Sequence, residues 1–299
     1  MIVSDLDGSL LNSRGEISGR TVEALRKYHA LGGLFTYATG RSDESAKPFA
    51  ERAGVSVAGI AFNGGKVVSH LGGKVIYETF MDEERSKKAY VALRAINKNV
   101  IVYLDKSRYV AEYTPVVDKY LERVRQGVKI IRDIDQVIGG GGSAGSGGGS
   151  GSGGGRGSDA VNGGDAGGGA GGRDKIKKLL VIDPLQEEDL ILDTVRPIFG
   201  ELLNCVKSDP QYYELLPPGT TKGRALEALA SHLGIGLNET IAIGDHLNDV
   251  SMIEAAGLGV AVANAEQAAR DAAGYITASN DDDGVALLIE KLIQGELMV

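Results

Sequence analysis

Apolar positions along this chain switch between two periods. MIVSD opens on a short apolar run. TVEALRKYHALGG then places Val22, Leu25 and Leu31 among charges, the spacing of a helix face, and closes on a glycine pair. GLFTYATGR reads as a strand running into Thr39, Gly40 and Arg41, and AGIAFNGG as a third short apolar run ending at Asn63. Strands separated by helices predict a parallel sheet with helices on its faces. Ligands bind such sheets beyond the carboxyl ends of the strands, where Asp5, Thr39 and Asn63 all fall.

The pattern then changes. KVVSHLGGKVIYETF reads as a hairpin turned at Gly72-Gly73, EERSKKAYVALRAIN as a helix, NVIVYLD and SRYVAEY as paired strands, and PVVDKYLERVRQ as another helix. KKLLVID, a helix around EEDLILDTVRPIF, and LLNCVKSD with QYYELL continue this α+β pattern. Residues 82–216 therefore read as a second domain inserted into a first made of 1–81 and 217–299. After residue 217 the strand–helix alternation resumes. TKGRALEALASHLG is an amphipathic helix, and ETIAIGDHLNDVSMIEAAG a strand, an acidic loop and a helix. LGVAVANA is a further strand, and GVALLIEKLIQ a final helix.

Inside the insert, residues 139–172 hold 20 glycines in 34 positions, with few apolar side chains. Such a composition buries too little surface to offset its ordering entropy and predicts a flexible loop. Closing it costs only ~1 kcal/mol more than closing a 10-residue loop, so the domain folds around it.

Composition narrows the partners. Of 299 residues, 42% are apolar and 24% charged, enough for a sizeable core. A formal charge of −8 argues against nucleic acid or an anionic membrane as the main partner, and leaves a small anionic substrate open. Cys205 is the one cysteine, so no intrachain disulfide forms. It reads as a small buried hydrophobe and suits a reducing cytoplasm. The N-terminus lacks the basic and apolar segments of a signal peptide, and no stretch approaches 18 apolar residues, so no membrane span is expected.

Four polar segments then align with strand ends or helix starts. Asp5-Leu6-Asp7-Gly8-Ser9 ends the first strand and Thr39-Gly40-Arg41 the second. Lys222 opens a helix, and Gly244-Asp245-His246-Leu247-Asn248-Asp249 ends a late strand. Together they suggest phosphoryl transfer. A carboxylate, here Asp5, attacks phosphorus and divides one hard step into two. Attack of an anion on an anion needs neutralising charge. A hard divalent cation such as Mg²⁺ supplies it, held by Asp5 and Asp245 with the backbone carbonyl of Asp7. Lys222 adds a positive charge, and Thr39 with nearby N–H groups cradles the phosphate. Asp7 serves as the proton donor and acceptor. Strand alternation, if it persists past Asp5, turns Asp7 to the same side. Asp249 reads as a further metal partner. Gly40, Arg41, Asn63, Asn248 and Asn264 read as substrate-side residues.

These segments resemble those of the haloacid dehalogenase-like (HAD) superfamily, and within it the Cof-type phosphatases. DLDGSLL is similar to the family's first motif, ATGR to its second, the lysine of TTKG to its third and GDHLND to its fourth. FNGG and ASNDDDGVALLIEKL resemble further family segments. The resemblance implies an α/β fold: a Rossmann-like parallel-sheet core with an α/β cap inserted between the second and third motifs. It also implies Mg²⁺-dependent hydrolysis of small phosphomonoesters, often sugar phosphates. Ser9 stands where relatives usually have threonine, the first strand is short, and the glycine tract is not a family feature. Two alternatives remain: a sugar phosphomutase, which needs a second, basic phosphate site in the cap, and a catalytically silent module that binds a phosphorylated ligand.

Overall fold

Ile2 and Val3 point to opposite sides of a sheet, and both sides are buried. In the computed structural model, which describes residues 1–69, 72–105, 107–124, 127–131, 133–137 and 175–297, this sheet has five parallel strands. Their order is Tyr275–Ile276, Leu258–Ala261, Ile241–Gly244, Ile2–Ser4, Phe35–Tyr37. On one face Ile2, Phe35, Tyr37, Ile241, Ile243 and Val260 pack with Leu25 of helix Gly19–Ala30 and Leu288 of helix Gly284–Gln294. On the other, Val3, Ala38 and Ala242 meet Leu226 and Leu229 of helix Lys222–Leu233. Near-continuous apolar strands are what a parallel sheet covered on both faces requires.

Winding runs outward from Ile2–Ser4 to Phe35–Tyr37 on one side, and from Ile241–Gly244 to Tyr275–Ile276 on the other. The reversal between the first strand and Ile241–Gly244 opens a crevice at their carboxyl ends. Register fixes what lies there. Ser4 is opposite both Ile243 and Tyr37. The chain beyond Ser4 therefore runs level with Gly244-Asp245 and with Ala38-Thr39, and the Asp5 N–H donates to the Ile243 carbonyl at 2.8 Å.

Strands Ala58–Ala61, Lys66–Ser69 and Val75–Glu78 form a small antiparallel sheet, joined to the core by a parallel bridge between Ala38 and Ile60. The hairpin expected around Gly72-Gly73 pairs the last two of these strands. The expected inserted α/β unit is a six-stranded sheet ordered Cys205–Asp209, Tyr212–Leu215, Lys178–Ile182, Asn99–Tyr103, Arg108–Val110, Lys129–Ile130. Alternation again sorts its side chains. Val100, Val102, Leu179 and Val181 pack under helices Glu83–Ala95 and Glu188–Phe199 with Leu93 and Val195. Ile101, Tyr103, Leu180 and Ile182 face the other way, toward Val117 and Tyr120 and toward Ala61 and Phe62 of the core. One face of the cap sheet is thus seated on the residues that lead into Asn63.

The glycine-rich stretch at 139–172 lies outside the described residues. Strand Lys129–Ile130, helices Asp43–Ala53 and Gln267–Ala272 and strand Tyr275–Ile276 were not anticipated from periodicity. Among the described residues no helix is long and apolar enough to cross a membrane.

Candidate active site

Asp5 follows the last residue of the first strand, so the strand stops one residue before the acid. Alternation therefore does not carry through to Asp7, but a turn brings both acids to the same cleft. Gly8 completes that turn at φ +84°, a conformation open to glycine, and a Cβ there would meet Asp245 Oδ2 at 2.3 Å. Ser9 uses the space by donating its hydroxyl to Asp245 Oδ1 at 2.7 Å.

Lys222 reaches the same point from the first turn of its helix, capped by Thr221, whose hydroxyl accepts from the Arg224 N–H. Its ammonium, fully buried, donates to Asp5 Oδ1 at 2.8 Å and Asp249 Oδ1 at 2.6 Å. The other oxygen of Asp249 accepts the N–H groups of Asp245 and His246 at 2.9 and 3.0 Å. Asp249 therefore holds both the lysine and the loop that presents Asp245.

Electrostatics follow from crowding. Burial pushes the Asp5 carboxyl well above its ordinary range; the Lys222 charge pulls it back, while Asp249, Asp245 and Asp7 raise it further. Asp245 is pushed up to about 7, by burial first and then by Asp249, against the opposing Ser9 bond and Lys222 charge. Burial alone would lower the Lys222 ammonium, but its two carboxylate partners outweigh this and hold it above its usual value. Asp5, Asp245 and Asp249 each offer an oxygen within 4.8 Å of the others. Three hard oxygen donors around one internal cation carry surplus negative charge, and the set fits a divalent cation.

The remaining predicted residues surround this centre. Thr39 is buried, and its hydroxyl accepts the Arg41 N–H at 3.2 Å. Arg41 grips Asp7 with two prongs, Nε to Oδ2 at 2.7 Å and a terminal nitrogen to Oδ1 at 2.5 Å. Asn63 sits in the left-handed region at φ +54°, its N–H donating to the Thr39 carbonyl. Its neighbour Gly64 packs so closely on Thr221 that a Cβ would meet that carbonyl oxygen at 2.1 Å. Asn248 donates to Asn63 Oδ1 at 2.9 Å. Asn264 is placed differently: its NH₂ donates to the Gly8 carbonyl and its oxygen accepts the Asn280 N–H, tying two loops behind the centre.

The cleft measures about 960 Å³ and extends from Asp5, Asp7, Asp245 and Asn248 to Tyr103, Tyr212 and Lys178 of the cap. Lys178 was not singled out from the sequence. Its ammonium donates to Glu214 Oε2 at 2.7 Å and to the Gly40 carbonyl at 2.9 Å. The signal was present: at period two, Lys178 shares the inward face of Leu180 and Ile182. His246 lies 2.9 Å from Glu266 Oε1 through Nε2.

Residues 2–137 and 172–289 match the family model for haloacid dehalogenase-like hydrolases. The chain is 29% identical over 324 residues to the 5-amino-6-(5-phospho-D-ribitylamino)uracil phosphatase YwtE of Bacillus subtilis, covering 99% of this chain and 98% of that one. It is 27% identical over 301 residues to the chloroplastic endoribonuclease YBEY of Arabidopsis thaliana, of whose length it spans 45%. The crystal structure of a haloacid dehalogenase-like hydrolase from Bacteroides thetaiotaomicron superposes with a TM-score of 0.74 at 27% identity, covering 97% of this chain and 98% of that one.

Proposed function

The chain belongs to the haloacid dehalogenase-like hydrolase family, and on that premise we propose that it is a magnesium-dependent phosphatase of small phosphomonoesters, sugar phosphates or similar. The observation that carries this is the convergence on one buried point of Asp5 with Lys222, Asp245 and Asp249, which all lie more than 200 positions from it in the chain.

In this reading an oxygen of Asp5 attacks phosphorus as the ester oxygen departs, giving an aspartyl-phosphate on Asp5 and an alcohol. Asp7 supplies the proton that the departing oxygen takes, then receives one from the water that attacks the phosphorus of the intermediate. Inorganic phosphate leaves and Asp5 is restored. Arg41 orients Asp7 between these tasks. Lys222 opposes the burial that disfavours the charge on Asp5, and Thr39, Gly40 and Asn248 receive the phosphoryl oxygens. Asp5 and Asp245, with Asp249 and the Asp7 carbonyl, would hold a magnesium ion, which would supply the charge that lets two anions approach.

Phosphatase is favoured over mutase by the cap's own face. Of the described cleft-lining residues that the cap contributes, Lys178 alone is cationic, and it is bonded to Glu214 and Gly40. Among the described residues, a second phosphate would find no further cap cation lining the cleft. The expected partner is a small phosphorylated metabolite in the cytoplasm. The test is phosphate release from an aryl phosphate and from a panel of sugar, nucleotide and cofactor phosphates, with Mg²⁺ and with EDTA. Magnesium-dependent release is expected. Isomerised ester without free phosphate would instead favour the mutase, and tight binding without product the silent module.

A pH dependence follows as well. With the Asp245 value at about 7 in the folded chain and 3.8 as its ordinary value, the folded state keeps a proton that the unfolded state has released between those limits. Stability of the metal-free protein should therefore fall as pH rises from about 4 to about 7. Thermal unfolding in EDTA is expected at a lower temperature at pH 7.5 than at pH 5. Mg²⁺ should raise the midpoint more at pH 7.5, where the carboxylates are open to it. Equal midpoints in EDTA would contradict the crowding of charge at this centre.

A further inference from the structure

Glu214 stands on cap strand Tyr212–Leu215, buried, and is bonded to both halves of the molecule. Its Oε1 accepts the Ser208 hydroxyl at 2.9 Å. Its Oε2 accepts the Lys178 ammonium at 2.7 Å and the Asn63 NH₂ at 2.9 Å. Asn63 passes the connection on, its oxygen accepting the Asn248 NH₂ at 2.9 Å. Lys178 passes a second one to the Gly40 carbonyl. A single cap carboxylate thus touches, through one intermediary each, the loop of Gly40 and the loop of Asn248, both of which line the cleft with Asp5.

The polarity of this chain has a physical cause. A carboxylate paired with a lysine only accepts hydrogen bonds, so Asn63 must turn its NH₂ toward Glu214 and its oxygen away. That oxygen also only accepts, so Asn248 must turn its own NH₂ toward Asn63. Asn248 Oδ1 is then left buried without a protein partner. An NH₂ group carries two N–H bonds. Asn248 gives one to Asn63, and the phosphatase reading assigns the other to a phosphoryl oxygen. Reversing the amide would put an oxygen in its place, against an anion.

We infer that Glu214 is a positioning residue: from the cap, it fixes through Asn63 the direction in which Asn248 meets the substrate phosphate, so that seating of the cap and polarity of the phosphate cradle are one event. This rests on the phosphatase reading of the same cleft and adds to it a cap residue that touches neither phosphate nor metal.

The test uses the whole protein in saturating Mg²⁺, with inorganic phosphate as a competitive inhibitor of aryl-phosphate hydrolysis. A glutamine at this position can present either end to Asn63, so the chain of amides can run in both directions. Glu214→Gln is expected to weaken phosphate inhibition about tenfold, the factor one misdirected hydrogen bond carries. If the unpaired Lys178 unfolds that variant, Glu214→Gln combined with Lys178→Met removes both charges and predicts the same loss. The decisive comparison is in an Asn248→Ala background. A residue acting through Asn248 has no further effect there, whereas a merely structural residue costs the same factor in both backgrounds. An unchanged inhibition constant in Glu214→Gln, or equal losses with and without Asn248, would overturn the inference. A parent protein that neither releases nor binds phosphate would overturn the phosphatase reading itself, a distinct result.

Discussion

Asp5→Asn is expected to abolish phosphate release, by roughly 10⁴-fold or more, the scale on which loss of a nucleophile is felt. An amide oxygen is a far poorer nucleophile toward phosphorus than a carboxylate and cannot form the acyl-phosphate. The substitution is nearly isosteric, and an amide oxygen can still accept from Lys222, which keeps its second bond to Asp249. What it removes is a carboxylate that burial and three neighbouring acids disfavour in its charged form. The variant should therefore unfold at the same temperature as the parent or higher. Calorimetry beside the phosphate assay separates the two effects. Lost activity with undiminished stability identifies a chemical role, and retained turnover would remove Asp5 from the centre of the reaction.

The sequence made the core and the acidic centre readable for a specific reason. Short apolar runs ended abruptly in acids, and a parallel sheet converts strand ends that are distant in sequence into neighbours. Asp5 and Asp245 meet because their strands pair in register, which periodicity implies once the sheet is parallel. Helix Asp43–Ala53 escaped because its buried face is alanine, Ala46, Ala50 and Ala53, and because Pro48 lies inside it. Small side chains leave almost no amphipathic trace, and proline reads as a break. Helix Gln267–Ala272 is too short to show a period. The grip of Arg41 on Asp7 and the tie of Asn264 to Gly8 join residues tens to hundreds of positions apart in loops whose path follows no periodicity, and the Lys178–Glu214 pair joins two strands whose adjacency only the folded sheet shows. Their partners emerge only once the chain is folded.

The same surplus of charge makes Lys222 the residue whose loss should be felt most by the fold. Lys222→Met keeps the apolar stem in its fully buried place and deletes the one cation that Asp5 and Asp249 share. Breaking a buried ion pair from one side leaves uncompensated charge and costs ~3–5 kcal/mol, far more than the net worth of the pair. Asp249 has two backbone N–H groups in compensation; Asp5 has no such pair from its own loop. The denaturation midpoint of Lys222→Met should therefore lie well below that of the parent at pH 8, with turnover lost because the positive charge beside Asp5 and the phosphate is gone. As pH falls through the raised range of Asp5 its carboxyl takes up a proton, and the missing ammonium matters less. The gap between variant and parent should narrow between pH 8 and pH 5, and Mg²⁺ should narrow it at pH 8 by replacing part of the missing charge. A variant as stable as the parent at pH 8, or a gap indifferent to both protons and Mg²⁺, would show that Lys222 is not what holds these acids together.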